Sequence, residues 1–319
     1  MKLILQLLFL LSICQGSDYT KLVQFANLAT VSYCVTKGLK IGLLGNKETN
    51  CAIKACKNHF LQNVEIVKIF DFNRLNEVGT GYYAVDNTRK TIILVFRGSA
   101  STRDWVTNVN FTPITYTPIV YDEKFEGQPY YLKKCINCKV HRGFYNFLKD
   151  NSGAIIQAGI KLKSQYPDYQ FLIIGHSLGA ALTVMSGIEF QLLGYEPLVV
   201  TFGGPRVGNQ EFADFADNIF DTEEVTNTIH EKKDFNHGLI RVVHGKDFIP
   251  YLPPMFVHAG FEYNIDKKDL PHLEEDLNRN LNEKRSFNPS NIKPSSLWPS
   301  RLGKYEHTHY FRKITSCKG

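Results

Sequence analysis

Apolar residues recur along this 319-residue chain in two rhythms. One has a spacing of three to four residues; the other consists of short unbroken runs. The first occupies Asp18 to Tyr33, where Leu22, Val23, Phe25, Ala26, Leu28 and Ala29 make a broad apolar face. That spacing predicts a helix with Asp18 as its N-cap. It returns from Gly143 to Tyr166 through Phe144, Phe147, Leu148, Ile155, Ile156, Ile160 and Leu162, with Pro167 as the stop. The second rhythm predicts strands at Val64–Phe70, Gly81–Val85 and Thr91–Phe96, the last two joined by a turn at Asp86-Asn87. Further runs at Phe171–Gly175, Leu198–Phe202 and Leu239–Val243 alternate with helical patterns. Strands alternating with helices predict an α/β class with a mainly parallel central sheet flanked by helices on both faces. No internal repeat is present.

The remaining stretches differ in character. Residues 1–16 have a positive start at Lys2, an apolar core from Leu3 to Ile13 and small residues around Gly16. The run is too short to span a membrane and reads as a signal peptide cleaved after Gly16. The expected destination is the secretory route and the extracellular space. Residues 17–319 are read as one domain. Within it, residues 38–60 form a loop region, and Arg97 to Pro129 is polar and aromatic. Residues 266–304 mix charges with Asn, Pro and Ser and read as an irregular insertion, a solvated helix followed by a loop.

Composition narrows the partners. There are 37 Lys plus Arg against 31 Asp plus Glu, a mild and diffuse surplus. No basic run interleaves with aromatics, so nucleic acid is not an expected partner, and nothing points to an obligate protein partner. Of seven cysteines, Cys14 lies in the leader. The other six, in an exported chain, predict three disulfides. Cys51–Cys56 and Cys135–Cys138 can close small local loops, which leaves Cys34 and Cys317; parity alone leaves other pairings open. Cys135-x-x-Cys138-x-x-His141 has the look of half a zinc site, but no second ligand pair lies nearby.

The chemistry concentrates at Phe171-Leu-Ile-Ile-Gly175-His176-Ser177-Leu178-Gly179. An apolar strand, a sharp turn and a small-residue helix with serine at the apex form the G-x-S-x-G nucleophile elbow. Gly175 and Gly179 permit the bend and a close approach of helix to strand. The plain alternative is an ordinary turn with a buried serine. A serine hydroxyl needs a base, and the base an orienting carboxylate. In elbow hydrolases both follow the serine in the chain. Asp247, where the strand through Val243 ends, is the favoured acid; Asp214, Asp217 and Asp221 fall in and after a predicted exposed helix. His258, His272, His307 and His309 are all possible bases, and spacing does not separate them.

The chain resembles the class 3 fungal lipases, a family of secreted triacylglycerol lipases. The similarity rests on Val95-Phe-Arg-Gly98-Ser99 with Trp105, His141-Arg-Gly143-Phe144, the elbow, Thr201-Phe-Gly203-Gly-Pro205-Arg-Val-Gly208-Asn209, and Arg241 to Pro250 with Leu252-Pro-Pro254. It continues through His258-Ala-Gly260-Phe-Glu262-Tyr263 and His307 with Tyr310-Phe311. The resemblance implies an α/β-hydrolase fold with a short lid helix over the site, at about residues 100–111, carrying Trp105. It implies His307 as base, with His258 near the site in another role, and an oxyanion hole built from Ser99 and Leu178. It also supports the pairings Cys34–Cys317, Cys51–Cys56 and Cys135–Cys138. The implied activity is hydrolysis of lipid esters at an interface without metal or cofactor. Phospholipase A1, mono- or diacylglycerol lipase and feruloyl esterase are the alternatives, with an inactive lipid-binding homologue behind them. Asn110 heads an N-x-S/T sequon beside the lid, a glycosylation candidate. The chain departs from the family at Asn264, where tryptophan is frequent, at Glu306, where aspartate is common, and in the long segment between Tyr263 and His307.

Overall fold

A computed structural model describes residues 17–49, 51, 53–72, 79–99, 112–127, 133–280 and 303–317. The expected leader, the expected lid segment with Trp105 and Asn110, and the second half of the irregular segment lie outside the described residues. Among the described residues nine strands form one sheet in the order in which they occur in the chain: β1 (Gly42–Leu43), β2 (Val64–Phe70), β3 (Gly81–Asp86), β4 (Thr91–Phe96), β5 (Gln170–His176), β6 (Leu198–Phe202), β7 (Gly238–His244), β8 (Phe261–Ile265) and β9 (Leu277–Asn280). The expected parallel sheet is its centre: β4 to β8 run parallel. The flanks, β1 to β4 and β8 with β9, are antiparallel, so the whole is mixed. Every residue of β4, β6, β7 and β8 is buried. Such strands are covered on both faces, which is why they read as unbroken apolar runs.

The seven described α-helices are α1 (Asp18–Ser32), α2 (Arg142–Asp150), α3 (Ala158–Gln165), α4 (Leu178–Leu192), α5 (Gln210–Ile219), α6 (Thr222–His230) and α7 (Lys304–Thr308). One apolar cluster joins one sheet face to α1 and α6 through Phe25, Leu28, Ile93, Ile174, Val200 and Ile229. The other joins the opposite face to α2, α4 and α5 through Leu94, Ile173, Leu182, Ile188 and Phe212. This is the layered α/β-hydrolase arrangement, and it sets the carboxyl ends of β4, β5, β6 and β7 along one edge.

Three local expectations are corrected. The N-cap of α1 is Ser17, whose side chain accepts from the Thr20 N–H, while Asp18 is the first helical residue. There its carboxylate faces the positive helix end and accepts from Tyr263 Oη at 2.7 Å and Arg279 Nε at 3.1 Å. The helix predicted over 143–166 is two helices joined through a π-helical turn at Gly153–Gln157. The wider turn buries both Ile155 and Ile156, and Tyr83 Oη donates to the Ile155 carbonyl at 2.7 Å. The irregular segment begins as structure, with a short 3-10 turn at Glu274–Asp276 leading into the edge strand β9.

Disulfides join Cys34 to Cys317, Cys51 to Cys56 and Cys135 to Cys138. The first ties the end of α1 to the C-terminal segment that follows α7. The zinc alternative is thereby lost: its two cysteines are bonded to each other. His141 instead caps α2, its Nδ1 accepting from the N–H groups of Gly143 and Phe144.

Helix α4 is buried on nearly every side and carries one acid, Glu189. Tyr116 Oη donates to its Oε1 at 2.8 Å and the Val120 N–H to its Oε2 at 3.0 Å. Burial outweighs these donors and raises the carboxyl from 4.5 to about 7. A pKa raised on folding stabilises the native state fully below pH 4.5 and loses that contribution as pH rises through 7. Glu189→Gln keeps a neutral group there at every pH. The wild type is therefore expected to lose roughly 3 kcal/mol relative to this variant between pH 4 and pH 8. Urea titrations of both proteins across that range measure the difference; parallel stability profiles would contradict it.

Candidate active site

Strand β5 ends at His176, and the chain turns through Ser177 into α4. Ser177 has φ 55° and ψ −129°, a conformation that side chains other than glycine rarely adopt. The turn is held because the Ser177 N–H donates to the Phe202 carbonyl of β6 at 2.9 Å. It is crowded as well. A Cβ on Gly175 would lie 2.3 Å from Thr183 Oγ1, and one on Gly179 would lie 2.5 Å from the Arg97 carbonyl. The two glycines thus let α4 press against β5 and the end of β4, which leaves the serine side chain as the projecting group.

The neighbouring strand ends supply its partners. Ser177 Oγ lies 2.8 Å from His307 Nε2. His307 Nδ1 lies 2.8 Å from Asp247 Oδ2 and 3.0 Å from Oδ1. With the Nδ1–H donated to the carboxylate, Nε2 keeps the lone pair that accepts the serine proton. Asp247 sits just beyond β7 and also accepts from the Ile249 N–H at 3.0 Å and from Tyr310 Oη. These donors fix the carboxylate as an acceptor. Gly203, at φ +56°, makes room for it: a Cβ there would lie 2.7 Å from both Asp247 Oδ2 and Tyr310 Oη. Ser177, Asp247 and His307 are all at least 97% buried, being 1%, 1% and 3% exposed.

Of the four candidate histidines, His307 is therefore the one whose ring spans Ser177 and Asp247. His258 Nε2 faces the Pro250 carbonyl at 2.6 Å. His272 Nδ1 accepts from the Phe311 N–H at 3.1 Å, and burial first, then the neighbouring His244, lowers the His272 pKa to about 4. His307 belongs to α7, whereas His309 lies just beyond that helix with its ring stacked on Tyr305 at 3.9 Å. Asp217 accepts from the Gly260 N–H at 2.7 Å, Asp214 pairs with Gln210, and Asp221 precedes α6. Leu178 is the first residue of α4, so its N–H is among those a helix leaves without an internal acceptor. Ser99 follows β4 in the segment alongside the elbow, where a Cβ on Gly98 would come within 2.8 Å of Ser177 Cβ.

Residues 93–257 match the family model of the class 3 lipases, half of the chain. LIH1 of Saccharomyces cerevisiae, a provisionally named lipase, is 33% identical over 320 residues, covering 94% of this chain and 95% of that protein. The chain belongs to the class 3 lipase family. Its enzymatic class is therefore carboxylic ester hydrolase. Among solved structures, this lipase is similar to the Lip2 lipase of Yarrowia lipolytica, with a TM-score of 0.74 and 28% identity over 94% of this chain and 95% of that one. A mono- and diacylglycerol lipase of Aspergillus oryzae superposes with a TM-score of 0.70 and 26% identity, over 95% and 100% of the two chains.

Sequence reasoning about this lipase passed over two contacts. Tyr310 entered only as a family landmark, although its hydroxyl reaches the acid. His176 entered only as the variable residue of the elbow, yet it is 1% exposed and its two ring nitrogens face Tyr33 Oη at 2.6 Å and the His307 carbonyl at 2.7 Å. A histidine inside an otherwise apolar strand end was the available signal, since a buried imidazole requires partners.

Proposed function

We propose that this lipase hydrolyses triacylglycerol at lipid–water interfaces through an acyl-enzyme on Ser177. The observation that carries the reading is the unbroken contact from Ser177 Oγ through His307 to Asp247. His307 removes the hydroxyl proton as Ser177 Oγ attacks the ester carbonyl. Negative charge on the carbonyl oxygen is met by the backbone N–H groups of Leu178 and Ser99, with the Ser99 hydroxyl as a further donor. Collapse expels the diacylglycerol oxygen, which takes the proton from His307 and leaves the acyl group on Ser177. Water, deprotonated by the same imidazole, then releases the fatty acid and restores the hydroxyl. Asp247 stays ionised and stabilises the imidazolium in both steps.

Export is supported by the leader pattern at residues 1–16 together with three disulfides, which fit an oxidising compartment. Among the described residues no helix is long and apolar enough to cross a membrane. The segment around Trp105 is proposed as the lid, with the indole suited to a boundary between oil and water. A second reading, preference for mono- and diacylglycerol, is favoured by the likeness to the Aspergillus oryzae enzyme.

A panel of triglyceride, diglyceride, phospholipid and feruloyl esters separates these readings. The expected result is fastest turnover on triglyceride, with the rate rising abruptly once the substrate exceeds its solubility and forms droplets. Equal rates on dissolved and emulsified ester would remove the interfacial part. Faster turnover of diglyceride would transfer the assignment to the second reading.

A further inference from the structure

The imidazole of His307 is carried on α7, a helix of only five residues. So short a helix forms few internal bonds: the His307 N–H reaches the Gly303 carbonyl at 2.8 Å and the His309 N–H caps the Glu306 carbonyl. Two consecutive carbonyls of that last turn meet buried histidines from the central sheet. His176, the last residue of β5, has Nε2 2.7 Å from the His307 carbonyl oxygen. His244, the last residue of β7, has Nδ1 3.0 Å from the Glu306 carbonyl oxygen. His244 is fully buried, and its Nε2 lies 2.8 Å from the Lys267 carbonyl.

We infer that His176 and His244 are positioning residues that clamp the backbone of the general base, holding the His307 ring in line between Ser177 and Asp247. The inference rests on the assignment of His307 as base. In the first jaw the His307 carbonyl can only accept, so the single N–H of the neutral His176 ring sits on Nε2 and points to it; Nδ1, 2.6 Å from the Tyr33 hydroxyl, then accepts from that hydroxyl. Burial, followed by the nearby His307, keeps that ring neutral by lowering its pKa well below 6.5. The second jaw is His244, which faces two acceptors, the carbonyls of Glu306 and Lys267; it holds α7 through an Nδ1–H donated to Glu306, and it holds both carbonyls only when each ring nitrogen carries hydrogen. The two strand ends that flank β6 thus set the position of α7 through the backbone, without touching substrate.

The decisive contrast is between losing the ring and retaining its donor. Gln at 176 can place Nε2 near the imidazole Nε2, and Asn at 244 can place Nδ2 near the imidazole Nδ1. His176→Leu and His244→Leu are expected to lower kcat by about tenfold to a hundredfold with KM unchanged, because a displaced base loses alignment. His176→Gln and His244→Asn are expected to recover most of kcat. Tyr33→Phe, which keeps the ring volume, should lower kcat by about threefold to tenfold through loss of one hydrogen bond. Rates are normalised to folded enzyme by circular dichroism. The low-field proton signal of the His307–Asp247 hydrogen bond should weaken in the leucine variants and return in the donor-retaining ones. If a leucine variant does not fold, the donor-retaining variants and Tyr33→Phe decide alone. Leucine variants with wild-type kcat, amide variants as impaired as leucine, or unchanged kcat in Tyr33→Phe would overturn the clamp. Ser177→Ala is assayed alongside: a silent Ser177→Ala with fully active leucine variants removes the clamp alone, whereas an active Ser177→Ala removes the assignment on which it rests.

Discussion

Ser177→Ala is expected to lower kcat for ester hydrolysis by on the order of 10⁵-fold, with little change in KM or thermal stability. The size follows from what the substitution removes. Ser177 Oγ, 2.8 Å from His307 Nε2, is the nucleophile of the proposed reaction. Without it the site has a base and oxyanion donors but no covalent route, and only slow attack by water remains. Stability should hold because alanine retains the Cβ. The strained conformation at φ 55° is the same for both residues, and the anchoring bond from the N–H to Phe202 belongs to the backbone. Steady-state assays beside denaturant curves test both halves of the expectation. A variant with substantial activity would mean that the elbow serine is not the nucleophile.

Asp247→Asn is expected to cost about 10⁴-fold in kcat near neutral pH. The amide is close in shape to the carboxylate but opposite in polarity at one atom. If its NH₂ faces His307 Nδ1, the ring must accept there and carry its proton on Nε2. That proton then faces Ser177 Oγ, and the lone pair needed for proton removal is gone. Turning the amide does not restore the network. Asp247 accepts from His307, from the Ile249 N–H and from Tyr310 Oη, and one amide oxygen does not replace both carboxylate oxygens. Some loss of stability should accompany the loss of rate, since a donor is then set against a buried donor. Reaction with a fluorophosphonate should slow in parallel with hydrolysis, as both need an activated Ser177. Hydrolysis that slowed while phosphonylation kept its wild-type rate would contradict this role for Asp247.

The elbow was legible because local sequence dictates it. A buried strand, two glycines and an intervening serine leave few ways to fold, and the close approaches at Gly175 and Gly179 explain why those positions lack side chains. The central strands were legible because burial on both faces makes them continuously apolar. Strand β9 was not: Leu277-Asn-Arg-Asn280 is polar and pairs only along the sheet edge. The choice of base was also beyond local pattern. His307 meets Ser177 across 130 positions of chain, and spacing does not separate it from His258, His272 and His309. Family resemblance, rather than spacing, singled it out. The π-helical turn escaped notice because a one-residue slip hardly alters the apolar rhythm. Glu189 is a further case, since its position in α4 says nothing of the Tyr116 and Val120 donors brought to it from another segment.

The central claim is that Ser177 is the nucleophile activated by His307. Labelling the disulfide-bonded protein with a fluorophosphonate and mapping the adduct by peptide mass spectrometry tests it most directly. The account predicts one phosphonyl group, on Ser177, formed in step with loss of esterase activity and strongly slowed by His307→Ala. An adduct on another residue, or full inactivation with Ser177 unmodified, would contradict it.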